Sequence, residues 1–273
     1  MNRVACIQMA SGPNVAANLL EAERLISMAA QKGARLVVLP ENFAIVGLNE
    51  ADKVAIREND SGGPIQEFLF KQALKHSVWL VGGTIPLAST SDKKIRAACL
   101  LIDDKGKQIA RYDKIHLFDV AVVDSDERYT ESDTIESGEQ VIVTDTPFGK
   151  LGLAVCYDLR FPEMFRTMID AGMEIVAIPS AFTALTGQAH WEQLVRARAI
   201  ENQCYVLAAA QGGYHINGRE TYGHSMIVGP WGKIQDQLPS GSGVVSVGLD
   251  MERLKSIRRS FPCLEHRNIT CRV

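Results

Sequence analysis

Short apolar runs alternate with amphipathic segments along the whole of this chain. The run VACIQMA (4–10) has the continuous apolar character of a buried strand. From Asn14 to Gln31 the period changes. Val15, Leu19, Ala22, Ile26 and Ala29 recur at spacings of 4, 3, 4 and 3, which is one face of a helix, and Gly33 supplies its C-cap. ARLVVLPE (34–41) is the next buried strand and Pro64 to His76 a second helix. VWLVGGTIP (78–86) and AACLLIDDKGK (97–107) are further strands, and the DKG turn predicts a hairpin leading into IARYDK. VIVTDTPFGKLGLAVCYD (141–158) predicts another hairpin, turning between Pro147 and Lys150. A helix from Pro162 to Ala171, the strand EIVAIPSA (174–181) and a helix from His190 to Asn202 follow. CYVLAAAQ (204–211), SMIVGP (225–230) and GVVSVGLD (243–250) read as strands, and Leu254 to Ser260 as a final short helix. Only His116 to Gln140 is polar without a clear period. A long functional loop is expected there, because structureless connections of that length are uncommon in compact domains.

Alternating helices and strongly apolar strands define an α/β class with largely buried sheets. The hairpins argue against a purely parallel, doubly wound sheet. Two mixed sheets packed face to face and flanked by helices fit the order better. No tandem repeat or low-complexity linker interrupts it, so residues 1–273 are expected to form one domain.

Charge and composition narrow the function. Lys and Arg number 29 against 32 Asp and Glu, a formal net charge of -3, which offers no electrostatic case for nucleic acid or anionic membrane partners. The one dense basic cluster, Arg253 to Arg259 with Arg267, reads as a solvated helix face. Six cysteines (Cys6, Cys99, Cys156, Cys204, Cys263 and Cys271) include no CxxC pair and no spacing for zinc. Several lie in apolar runs, so reduced thiols and a cytoplasmic location are expected. MNRVACIQMA lacks the basic and long apolar regions of a signal peptide, and no apolar stretch has the length of a membrane span.

Three apolar strands end in reactive groups. LVVLP ends in Glu41, LGLAV in Cys156, and IVAIP in Ser180, with Thr183 and Thr186 just beyond. Ligands of open α/β sheets bind beyond the carboxyl ends of strands. If these strands lie parallel and adjacent, Glu41 and Cys156 face one cleft. Attack by a thiol needs a base, and a carboxylate serves if burial raises its pKa. The tetrahedral intermediate needs donors at its oxyanion. Lys114, in RYDKIHLFD, and the N–H of Tyr157 are candidates. Cys156 and Glu41 have plainer alternatives, as a core thiol and as a solvated turn residue or helix N-terminal charge, and Lys114 alone carries no signal. Spacing alone does not exclude a Cys–His pair using His116, His190 or His224.

The segments LPENF, YDKIHLFD and GLAVCYDLRFPE, in this order, resemble the signatures of the nitrilase superfamily of carbon–nitrogen hydrolases. The resemblance runs from VACIQM to FPCLEHR, nearly the whole chain. It implies an α-β-β-α sandwich that dimerises through helical faces. It also implies a Glu-Lys-Cys triad at Glu41, Lys114 and Cys156, a further positioning glutamate at Glu131, and no metal or organic cofactor. Later segments, RARAIENQCYVLAAAQ and YGHS, are similar to the branch that holds deaminated glutathione amidases and their neighbours, the omega-amidases. That branch implies a small-molecule amide substrate whose acyl part carries a carboxylate and a keto group. An Arg can hold such a carboxylate through two parallel hydrogen bonds. Arg160 is the candidate, unless it is spent on a salt bridge to Asp158 or Glu163. Thr183 and Thr186 are candidates to offer hydroxyls. 2-Oxoglutaramate and N-carbamyl amino acids are the alternative substrates.

Overall fold

The computed structural model describes residues 2–122 and 127–269. Two mixed sheets face each other. In the first, Gly243–Gly248, Arg3–Gln8, Leu36–Val38, Trp79–Val81, Ile95–Ile102 and Ile85–Ala88 lie in that order, and Gln108–Asp113 also pairs with Ile95–Ile102. In the second, the order is Ile234–Leu238, Ser225–Val228, Tyr205–Ala210, Ile175–Ser180, Gly149–Leu153 and Ile142–Thr146. Each sheet has three adjacent parallel strands at its heart.

The strands are apolar throughout because both faces are covered. In Arg3–Gln8, Val4 and Cys6 join the core between the sheets, while Ala5 and Ile7 join the core beneath the helices Val15–Gln31 and Pro64–His76. Ile95–Ile102 divides in the same way, with Cys99 and Leu101 inward and Ala98, Leu100 and Ile102 towards the helices. On the far side, Pro162–Asp170 and Ala184–Asn202 cover the second sheet. The result is the two face-to-face mixed sheets expected from the order of elements, in the α-β-β-α sandwich that the resemblance implies. Among the described residues no helix is long and apolar enough to cross a membrane.

Several elements follow their local signals closely. The first helix spans Val15–Gln31, and the Asn14 side chain accepts a 3.0 Å bond from Ala17 N–H as its N-cap. The second spans Pro64–His76 with Pro at its start. Three expectations need correction. VWLVGGTIP is two strands, Trp79–Val81 and Ile85–Ala88, broken at Gly82 and Gly83. The helix expected from His190 begins at Ala184, capped by Thr183, so His190 lies inside it. The polar stretch from His116 to Gln140 is not structureless: Asp119–Ala121 pairs with Arg128–Thr130, and a short 3-10 helix follows at Glu131–Asp133. Residues 123–126 of that stretch, and Cys271, lie outside the described residues.

Candidate active site

Glu41 and Cys156 do face one cleft, but not from adjacent strands. Leu36–Val38 and Gly149–Leu153 belong to opposite sheets, and the carboxyl ends of the two sheets converge. A side-chain network ties them. The Gln211 amide donates to the Glu41 carbonyl (3.0 Å) and to Ser11 Oγ (2.8 Å), and its oxygen accepts from Ser11 N–H (3.0 Å). Gln211 follows the strand Tyr205–Ala210 of the second sheet, so the loop bearing Glu41 is fixed from the opposite layer. That loop is sharply bent: Asn42 adopts φ +55°, and its N–H donates to Thr84 Oγ1 at 2.8 Å.

Cys156 opens a 3-10 turn, Cys156–Arg160, directly after the second-sheet strand. Its φ of +48° lies in the left-handed region that non-glycine residues seldom occupy. The sharp reversal ends the strand and turns the thiol into a narrow cavity that Glu41 and Glu131 also line. Asp158 holds the turn in shape. It is fully buried and accepts from Val155 N–H (2.7 Å), Tyr112 Oη–H (2.6 Å) and His116 N–H (3.1 Å), with His116 Nδ1 at 2.7 Å. Nothing in the sequence distinguished Asp158 except as a partner for Arg160, a role it does not fill.

Lys114 follows the strand Gln108–Asp113 and is almost entirely inaccessible. Its ammonium donates to Glu41 Oε1 at 2.8 Å and to Glu131 Oε2 at 2.6 Å. Burial alone would lower the Lys114 pKa, but Glu131 and Glu41 outweigh it, and the group is held well above its ordinary value. For Glu131 burial acts upward, but Lys114 and a 2.8 Å bond from Phe118 N–H bring its pKa below the usual range. The Cys156 thiol is pushed well above its ordinary value, first by burial and then by the charge of Glu41. Lys114 and the Ala181 N–H, 3.5 Å from Sγ, pull the other way without overcoming this. Cys156 is thus a protonated thiol at neutral pH, beside a carboxylate and an ammonium.

The remaining candidates gather here too. Tyr157, Arg160, Thr183 and Thr186 all line the cavity. Thr183 Oγ1 accepts from Thr186 N–H at 3.3 Å and lies 2.8 Å from Thr186 Oγ1. Among the described residues Arg160 makes no ion pair. Its guanidinium lies 5.2 Å from the Phe182 ring centroid and 5.9 Å from that of Tyr157, with Nη1 3.3 Å from His190 Nδ1. Among the described residues no histidine lines the cavity. His116 is stacked on Phe161 at 3.7 Å, His224 is stacked on Tyr222 at 3.9 Å, and His190 lines a wider groove outside. The geometry therefore removes the Cys–His alternative. Sequence reasoning also missed Phe118 and Arg219, both in the cavity wall.

The description of the Carbon-nitrogen hydrolase family matches residues 3–259. A deaminated glutathione amidase from Yersinia enterocolitica is 46% identical over 96% of this chain and 92% of its own length. The crystal structure of the Caenorhabditis elegans NitFhit protein superposes with a TM-score of 0.90 at 37% identity, covering 98% of this chain and 65% of that longer one. An amidase mutant from Nesterenkonia sp. AN1, carrying acrylamide added at its active-site cysteine, superposes at 0.79 with 26% identity, covering 96% of this chain and 99% of that one.

Proposed function

This chain belongs to the carbon–nitrogen hydrolase family, and from that premise we propose that it is a cysteine-dependent amidase acting on deaminated glutathione. That compound is glutathione with its glutamyl amine replaced by a ketone. Its acyl arm is a 2-oxo acid, joined through an amide to cysteinylglycine. The observation that carries the reading is that Cys156, Glu41 and Glu131 line one cavity, with the Lys114 ammonium behind it bonded to both glutamates. The Yersinia relative, named for this activity, supports the substrate. 2-Oxoglutaramate and N-carbamyl amino acids have no comparable support.

The chemistry follows from the electrostatics. Because the Cys156 thiol is held protonated, it needs a base at the moment of attack rather than a standing thiolate. Glu41 takes that proton as Sγ bonds to the amide carbon. The carbonyl oxygen, now negative, is met by the Lys114 ammonium and the Tyr157 N–H. Lys114 remains charged throughout because Glu131 and Glu41 hold its proton. The intermediate collapses, the C–N bond breaks, and Glu41 returns the proton to the departing amine. A thioester remains on Cys156. Glu41 then takes a proton from water as the water attacks, and returns it to Sγ as the C–S bond breaks, releasing the 2-oxo acid and restoring the thiol and the Glu41 base. Glu131 positions Lys114, Arg160 holds a substrate carboxylate, and the Thr183 and Thr186 hydroxyls contact the acyl arm.

Two further expectations belong with this. The chain acts as a homodimer joined through its helical side, where Ile200, Trp231 and Phe261 are each more than half exposed. The Trp231 and Phe261 rings meet edge to face at 5.8 Å there. The free thiols Cys6, Cys99, Cys156 and Cys204, all buried, fit a cytoplasmic location. Light scattering would test the dimer. The function is tested by product release from deaminated glutathione, 2-oxoglutaramate and an N-carbamyl amino acid, with Cys156→Ala as control. Preference for the first and loss of at least ~10³-fold in the variant is expected. Full turnover by Cys156→Ala, or preference for either other compound, would overturn it.

A further inference from the structure

The cavity contains a second guanidinium that the mechanism does not use. Arg219 precedes the strand Glu220–Tyr222 and lines the same wall as Cys156 and Phe182. Its guanidinium lies 4.8 Å from the Tyr129 ring centroid, which fixes its orientation. Nη2 donates to the Ala181 carbonyl at 3.0 Å. Nε is buried with no hydrogen-bond partner. Among the described residues no carboxylate pairs with it within ion-pair distance. A guanidinium has five donors, and leaving one buried and unmade is costly. This one is held beside the nucleophile with donor capacity to spare.

The shape of the site says which part of a substrate would meet it. A wider groove adjoins the inner cavity and shares Phe118, Tyr157, Arg160 and Thr186 with it. The groove continues past Leu185 and His190 towards solvent. Arg219 lines only the inner cavity, as do Glu41, Glu131 and Cys156. In a two-step acyl transfer the amine must leave while the acyl arm stays bonded to the thiol. The leaving group therefore belongs on the side of the open groove, and the acyl arm in the enclosed part.

Charge points the same way. Glu41 and Glu131 in the wall, set against the Lys114 ammonium bonded to both from behind, leave one net negative charge beside the cavity, which repels an anionic acyl arm. Arg160 and Arg219 together reverse that sign.

Building on the amidase reading above, we propose that Arg219 is a specificity-determining residue that binds the terminal carboxylate of the acyl arm from the inner wall, while Arg160 faces it from the border with the groove. The site then selects acyl groups that end in an anion, and two guanidiniums share the selection.

The test compares kcat and KM of the parent, Arg219→Ala, Arg219→Lys and Arg160→Ala. Three amides are used: deaminated glutathione, 2-oxoglutaramate, and an acyl-arm carboxamide of the latter that lacks the carboxylate. Arg219→Ala is expected to raise KM at least tenfold for both acidic amides and to change the neutral one less than threefold. Arg219→Lys should recover only part of the loss, because an ammonium cannot donate two parallel bonds. Equal losses on the acidic and neutral amides would mark Arg219 as merely structural and overturn the proposal. Loss on deaminated glutathione alone would assign Arg219 to the leaving group and overturn it equally. If the parent turns over none of the three, it is the amidase reading that fails.

Discussion

The Tyr112 hydroxyl donates a 2.6 Å hydrogen bond to Asp158, and that bond spans the two sheets of the sandwich. Tyr112 stands two residues before Lys114, and Asp158 two residues after Cys156. The same carboxylate accepts from Val155 N–H and His116 N–H. One buried anion thus sets the distance between the proposed oxyanion donor and the proposed nucleophile, with no contact to substrate required. Asp158→Asn replaces one acceptor oxygen by donors that face other donors. The expected cost is ~2–4 kcal/mol of stability, read as a melting temperature lower by about 5–10 °C. A kcat lower by about 10²-fold is expected from misplaced groups, with little change in KM. A variant that melts and turns over like the parent would show that the turn keeps its shape without the anion.

Gly83 controls the other side. Its φ is +59°, and a Cβ there would lie 2.1 Å from the Pro40 carbonyl oxygen, one residue before Glu41. Gly83→Ala must therefore both strain its own backbone and displace the Glu41 loop. The backbone strain alone costs about 1–3 kcal/mol. The expected signature is a loss of kcat out of proportion to the loss of stability, compared with a Gly218→Ala control, whose Cβ would meet nothing. Equal kcat losses in the two variants would mean that the loop absorbs the displacement.

These two residues show where sequence reasoning reaches. Glu41, Lys114 and Cys156 were legible because each stands at or just past the end of a strand, where apolar periodicity stops and an ionisable side chain begins. Asp158 was not, because its partners come from another sheet and local pattern carries no trace of them. Arg219 was hidden by a turn segment, NGRE, that reads as solvated surface until the hairpin Gly212–Tyr214 with Glu220–Tyr222 folds it over Tyr129. The start of the Ala184–Asn202 helix was missed for a related reason. ALTGQA contains Gly187, a weak helix former, but that glycine is required: a Cβ would lie 2.2 Å from the Tyr222 side chain. Packing decided the helix where propensity did not. The expectation of adjacent parallel strands failed because strand ends say which groups are presented, not which sheet presents them.

Lys114 offers a test with a sign. Lys114→Met leaves Glu41 and Glu131 buried without their shared cation. Removing one partner of a buried ion pair costs about 3–5 kcal/mol. Glu131, which burial already pushes upward, will favour its protonated form once Lys114 is gone, so its folded pKa rises above the unfolded one. A raised folded pKa gives stability that is present at low pH and lost as pH rises. In the parent, Glu131 is lowered, so its contribution is present above the unfolded carboxylate range and lost as pH falls. Both effects narrow the gap in acid. The melting temperature deficit of Lys114→Met is expected to be larger at pH 8 than at pH 5. An equal deficit at both would mean that the carboxylates find another cation or water.

His215 sets a different pH dependence. It is nearly inaccessible, and burial, followed by smaller effects, leaves its pKa below the ordinary histidine value. Nδ1 lies 2.8 Å from the Ser11 carbonyl, which raises the pKa, and the charge of Arg219 lowers it. The carbonyl can only accept, so Nδ1 carries the proton and Nε2 is free to accept from Thr221 Oγ1, 2.8 Å away. The folded chain thus binds this proton less readily than the unfolded one. Stability is complete above the unfolded value of about 6.5 and declines as pH falls below it, until the folded pKa is reached. Ser11 also holds Gln211, and through it the Glu41 carbonyl, so acid loosening begins beside the site. His215→Asn retains a donor for Ser11 but has no titration. It is expected to melt lower than the parent at pH 7.5 and to lose fewer degrees between pH 7.5 and pH 5.5. If both lose the same number of degrees, the acid sensitivity of this fold lies in other groups.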